Sequence, residues 1–402
     1  MVRAAAPRAL RAMAILSAAG VVLLAALPAD AVQFIVRNDD SPAEGFNDIT
    51  PVAPIGGNPG DTLGEQRMYV FQYAADAWGA RLNGNIPIVV SATFDALGGT
   101  QTSALLGSAS PDTVHRDFLN ATRSGTWYAA ALANQLANDD LNSILDPDRP
   151  EMSAQFNSSV DGPTVLGTRG FYYGLDGNNG SNIDFLSVVL HEIAHGVGFL
   201  DLIDPSTGSL FDPPPGGNPL PDAYTFWLED PTVVPKSLVA MSDQQRKAAI
   251  LNGPDLAWAG TAVKGNSAYL TQGRKPDGRV QIYAPAQYEP GSSVAHFDTK
   301  LAPDELMEPF ATSGIRDLRL TVNLFKDLGY STNHIARCGD ANNDSAITSV
   351  DALSTLKSAV GSANCSDLVC DVNLSGAITA ADALTTLKAA VGISLRLNCP
   401  LS

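Results

Sequence analysis

Basic residues are scarce in this chain of 402 residues: 25 Lys and Arg stand against 42 Asp and Glu, a formal net charge of -17. That balance argues against nucleic acid as a partner, because a polyanion is bound through clustered positive charge. Histidine is rarer still, with 5 in the whole chain, and cysteine is confined to Cys338, Cys365, Cys370 and Cys399. Everything before Cys338 must therefore fold without disulfides. Long apolar runs are missing too. The one candidate, Ala12 to Leu27, falls short of the roughly 20 residues a spanning helix needs, so no membrane span is expected.

That short run has another reading. Arg3, Arg8 and Arg11 precede it and Ala29-Asp30-Ala31 follows, which is the layout of a secretory signal cleaved after Ala31. Residues 1–31 are accordingly expected to be a signal peptide, and the mature protein to be secreted, extracellular or associated with the cell surface. In an exported chain an even cysteine count predicts disulfides. The 35 Gly and 26 Pro suit a folded, loop-rich protein, and the length allows one sizeable domain and a small appendage.

Periodicity gives the first elements. Phe71, Ala74, Ala75, Trp78 and Leu82 recur at helical spacing, predicting a helix from about Thr62 to Leu82. The β-branched run Ile86 to Phe94, with Pro87 near its start, predicts a strand. A second strand is expected over Gly170 to Gly174, and the Pro- and Gly-rich stretch from Asp204 to Asp222 reads as a surface loop. The stretch before Phe156 carries no clear pattern. Helix followed by strand points to an α+β fold.

The chemistry concentrates after Ser181 and Asn182, either of which can cap a helix whose first turn holds Asp184. Along it run Phe185 to Leu190 and then His191-Glu192-Ile193-Ala194-His195. Histidines four apart lie on one helix face, so both can reach one Zn²⁺, and Glu192 beside them can act as general base toward water. A chance pair at this spacing, with glutamate in place, is improbable among so few histidines. The site needs a third ligand, for which Asp201 and His296 compete. His115 and His334 sit in contexts that give them no role.

The string from His191 to Phe199, with Gly196 and Gly198, resembles the metzincin superfamily of zinc proteases. Asp201 stands where many members carry their third ligand. Downstream, Ser292 to Asp298 followed by Asp304-Glu305-Leu306-Met307-Glu308-Pro309 resembles the leishmanolysin type, in which an insertion precedes the third histidine. The resemblance implies zinc on His191, His195 and His296, a methionine turn at Met307, and an insert over about 202–295. It also implies a zinc endopeptidase acting on protein or peptide substrates, with a mixed sheet and an active-site helix in a domain of residues 32–330.

A linker is expected at 331–337, and then a repeat appears. Asp340, Asn342, Asp344 and Asp351 match Asp371, Asn373, Ser375 and Asp382, 31 residues apart. Oxygen side chains at loop positions 1, 3, 5 and 12 are the spacing of a calcium loop. Leu353, Leu356 and Val360, repeated as Leu384, Leu387 and Val391, are expected to pack the two following helices together. Residues 338–402 resemble a dockerin, departing from its usual pattern at Ser375 and in the four cysteines. The resemblance implies a small all-α pair of loop–helix repeats, one or two Ca²⁺, and a cohesin-like scaffold or cell-surface partner. Three disulfide pairings are open; the simplest brackets each repeat, joining Cys338 to Cys365 and Cys370 to Cys399. Two other functions remain: a dockerin-bearing polysaccharide hydrolase using paired carboxylates with a structural metal, and a non-catalytic adhesin with a closed metal site.

Overall fold

The computed structural model describes residues 31–399 apart from 144, 145, 147, 214, 215, 312, 313, 334–337, 343, 345, 374, 376, 394, 396 and 398, and the side chains of 367 and 368. The signal assigned to residues 1–31 lies outside these but for Ala31, as do His334 and most of the linker. The fold is mixed α+β, with its larger core running from Val32 to Tyr330.

Four strands form the main sheet: β1 (Phe34–Asn38), β2 (Ile88–Asp95), β3 (Gly107–Pro111) and β6 (Met152–Asn157), in the order β1-β2-β6-β3. β1 and β6 run parallel to β2, while β3 lies antiparallel to β6 at the edge. Ile88, Val90, Ala92 and Phe94 alternate into the core, the period-2 pattern of a half-buried strand. The strand starts two residues later than the sequence predicts. The Gln135 side chain instead takes the Ile86 carbonyl and amide, just ahead of Pro87, which has no N–H to give.

Helix α1 (Leu63–Arg81) opens with a capping box in which Thr62 and Glu65 satisfy each other's backbone N–H groups, and closes at Leu82. Its Trp78 is fully buried and donates to the Leu190 carbonyl at 2.9 Å, fixing α1 against helix α3 (Phe185–Gly196). Phe71, Phe94, Phe156 and Phe185 meet edge-on, tilted or stacked at ring separations of 5.2–6.1 Å beneath the sheet. Short strands β4 (Val114–His115) and β5 (Tyr128–Ala129) pair ahead of α2 (Ala130–Ala137).

The start of α3 differs from expectation. Ile183–Asp184 pairs as β8 with β7 (Phe171–Tyr172), so the helix begins after Asp184 and neither Ser181 nor Asn182 caps it. Asp184 makes no capping bond either. Its carboxylate is taken by Arg316 in a two-pronged pair at 2.7 and 2.8 Å, which outcompetes a cap.

The segment 202–295 holds regular structure as well as loop. Strands β9 (Leu228–Glu229), β10 (Ala257–Trp258) and β11 (Val280–Gln281) form an antiparallel sheet flanked by α4 (Asp243–Ala249) and α5 (Thr261–Asn266). α5 packs on α6 (Arg319–Leu328), where the Asp327 carboxylate accepts from Trp258 Nε1 and the Ala262 and Val263 amides.

Beyond the linker, α7 (Ser349–Ala359) and α9 (Ala380–Ala390) pack together, with α8 (Asp367–Cys370) between them in sequence. The expected leucine stripes do not make this contact. Ala352, Thr355, Ala383 and Thr386 are buried, whereas Leu353 and Leu384 are 50% and 52% exposed and Val360 and Val391 more so. The small residues are the inward ones, and the stripe is turned to solvent. The disulfides also differ: Cys338 joins Cys399 and Cys365 joins Cys370, at Cα separations of 5.5 and 6.1 Å. Packing of the two repeats brings the ends of the module together over Val372, so the bridge closes the module instead of each repeat.

Candidate metal centre and calcium loops

Two turns of α3 carry His191 and His195, and the segment after β11 returns His296 to them. The three Nε2 atoms lie 3.0, 3.1 and 3.2 Å from one another. Donors held at 2.0–2.1 Å around a tetrahedral ion stand about 3.3–3.4 Å apart, so the spacing suits one small cation. Each ring's other nitrogen is occupied. Nδ1 of His191 meets the Leu306 carbonyl at 2.7 Å, that of His195 the Phe199 carbonyl at 2.8 Å, and that of His296 the Ser292 carbonyl at 2.8 Å.

A carbonyl oxygen can only accept, so all three Nδ1 atoms carry the hydrogen. Burial pushes the His191 ring down to about 4 and the His195 ring down to about 3, the latter helped by His191, and holds His296 well below its usual value. The rings are neutral, and three Nε2 lone pairs face one another. A cation held between them would turn that repulsion into coordination.

Glu192 lies on the same helix, 7% exposed, against the edge strand β3. A Cβ at Gly107 would come within 3.1 Å of its Cγ, and the Ala109 amide bonds its carboxylate. Burial lifts this carboxyl to about 8; a cation beside it acts in the opposite direction.

Asp201 is elsewhere. Its Oδ1 accepts from the Ile203 amide at 3.0 Å, and burial followed by the charge of Asp222 raises it to about 8. Among the described residues the histidine group does not include it. Met307 is fully buried, its carbonyl accepting from Phe297 N–H at 2.8 Å, one residue after the carbonyl that holds His191. His115 is half-buried, with Nε2 at 2.9 Å from Asn142 Oδ1. The three supporting carbonyls and the Gly107–Ala109 edge were not legible in the sequence. Backbone groups leave no side-chain signal, and Ser-Ala-Ser is a weak strand.

In the C-terminal module Asp340, Asp344 and Asp351 bring carboxylate oxygens within 4.8 Å of one another. Asp344 N–H donates to Asp340 Oδ1 and to Asn342 Oδ1, both at 3.0 Å. The second loop repeats this, with Ser375 N–H donating to Asp371 at 2.9 Å and to Asn373 at 3.0 Å. Asp351 and Asp382 are the third residues of their helices and each closes a capping box, with Thr348 and Thr379. One oxygen of each is thereby used. The other oxygen of Asp382 is buried and has no hydrogen-bond partner among the described residues. Neither a protein-family model nor a curated protein matches the chain.

Proposed function

We propose that the chain is a secreted zinc endopeptidase of metzincin, leishmanolysin-like type carrying a dockerin-like calcium module. One observation carries this reading: three neutral imidazoles, His296 buried and His191 and His195 half-buried, are each fixed through Nδ1 by a backbone carbonyl and turn unprotonated Nε2 atoms toward a common point. An all-imidazole set of three ligands favours zinc and leaves a fourth position for water or substrate. When bound, zinc supplies Lewis acidity, acidifying a water and polarising the substrate carbonyl.

The chain's own residues do the rest. His191, His195 and His296 hold the ion, and Met307 packs in the segment supporting His191. Glu192 takes a proton from water at its carboxylate and delivers it to the departing amine. The neighbouring edge strand β3 suits an extended peptide, since an unpaired strand edge offers backbone donors and acceptors at regular spacing. The net charge of -17 supports a protein substrate over nucleic acid.

For the module, Asp340, Asn342, Asp344 and Asp351, and Asp371, Asn373, Ser375 and Asp382, would hold calcium; the unsatisfied Asp382 oxygen supports a cation there. The solvent-facing stripe of Leu353, Leu356, Leu384 and Leu387 supports a cohesin-like partner on a scaffold or cell surface. The test of the protease reading is degradation of an unstructured protein by the purified mature chain. Hydrolysis should cease in a zinc chelator and return with stoichiometric zinc. An unchanged rate in the chelator would exclude a catalytic metal.

A further inference from the structure

Val294 is a β-branched residue with φ of 71°, a left-handed conformation that such side chains avoid because Cβ and the branch crowd the backbone. It is fully buried and stands between Ser292, whose carbonyl orients His296, and His296 itself. Strain of this kind persists only where surrounding contacts over-determine it. Both polar groups of Val294 are held. Its N–H donates to the Tyr283 carbonyl at 2.8 Å, and its carbonyl accepts from the Tyr224 hydroxyl at 2.9 Å.

Tyr224 is in turn fixed. Asp222 accepts from the Leu202, Tyr224 and Thr225 amides and from the Thr225 hydroxyl, at 2.6–3.0 Å, which ties the turn bearing Tyr224 to the chain just after α3. The Tyr224 ring packs between Phe199 and Trp258 at 5.3 and 4.7 Å. Burial keeps its hydroxyl protonated and a donor. Phe199 also supplies the carbonyl that orients His195.

We propose that Tyr224 is a positioning residue for the metal centre: its hydroxyl clamps the strained Val294 turn so that the Ser292 carbonyl and the His296 ring are presented together. This rests on the zinc reading above. The insert thereby helps to set the third ligand, and Tyr224 and Asp222 tie the turn after α3 to the turn before His296.

The experiment measures Zn²⁺ affinity by competition with a chromophoric chelator for the full mature chain. Tyr224→Phe, which keeps the ring contacts, should weaken zinc about 10-fold, the lower range for loss of an outer-shell partner. Val294→Gly adopts φ near 71° without strain, so Tyr224→Phe combined with Val294→Gly should regain most of that loss. A merely structural role for the hydroxyl would lower the metal-free thermal midpoint without this rescue. Wild-type affinity in Tyr224→Phe, or a double variant as weak as the single, overturns the proposal. Absence of stoichiometric zinc from the wild-type chain would instead overturn the reading on which it rests.

Discussion

Asp201 and His296 both carry side chains able to ligate zinc, and their surroundings separate them. An aspartate oxygen is a competent zinc ligand, but Asp201 points into its own turn, bonding the Ile203 amide, while His296 Nε2 meets both other histidines. His296→Ala should therefore weaken zinc by more than about 100-fold, beyond the effect of removing an outer partner, whereas Asp201→Ala should leave affinity within a few-fold. Metal analysis after dialysis against graded chelator distinguishes them, and the reverse ranking would move the site to Asp201. The helix pair was legible because spacing of four has one geometric meaning on a helix. His296 was reachable through the scarcity of histidine and its neighbourhood to Met307. The carbonyls of Leu306, Phe199 and Ser292 were not, since any residue type supplies one.

Helix α3 depends on the element that seals its start. Arg316 bridges Asp184 and also donates to the Leu175 carbonyl, so one side chain ties the helix N-terminus, the β7–β8 region and the segment after Met307. The Asp184 side chain is fully buried. Arg316→Ala would strand that carboxylate, a loss of about 3–5 kcal/mol, seen as a fall in denaturation midpoint; an unchanged midpoint would show the pair to be dispensable. Sequence alone showed α1 well, because the apolar period of Phe71, Ala74, Ala75, Trp78 and Leu82 has one meaning, and the Thr62–Glu65 capping box of the structure agrees with it. It misjudged the first residues of α3 because Ser181 and Asn182 are good caps locally, while the deciding partner lies 132 positions away. The short strands β9, β10 and β11 span two residues each, too few for alternation to register.

Across the whole molecule the repeat was legible and its closure was not. Matching loops are written in side chains, but which cysteines meet depends on how two helices pack. Peptide mapping without reduction should recover Cys338 with Cys399 and Cys365 with Cys370. Calcium should order the same module, because each loop gathers carboxylates that repel one another until a cation is bound. A rise in the module's thermal midpoint on adding calcium, reduced by Asp340→Ala, is expected; no rise would leave Asp351 and Asp382 as helix caps alone.

The proposed function assigns metal binding and proton transfer to different residues of one helix turn, and Glu192→Ala separates the two. Zinc content and hydrolysis of an unfolded protein are to be measured on the same preparation. The variant should retain one zinc per chain while its hydrolysis falls by about 10²- to 10⁴-fold, the contribution of a positioned general base. Full hydrolysis with stoichiometric zinc would contradict the account.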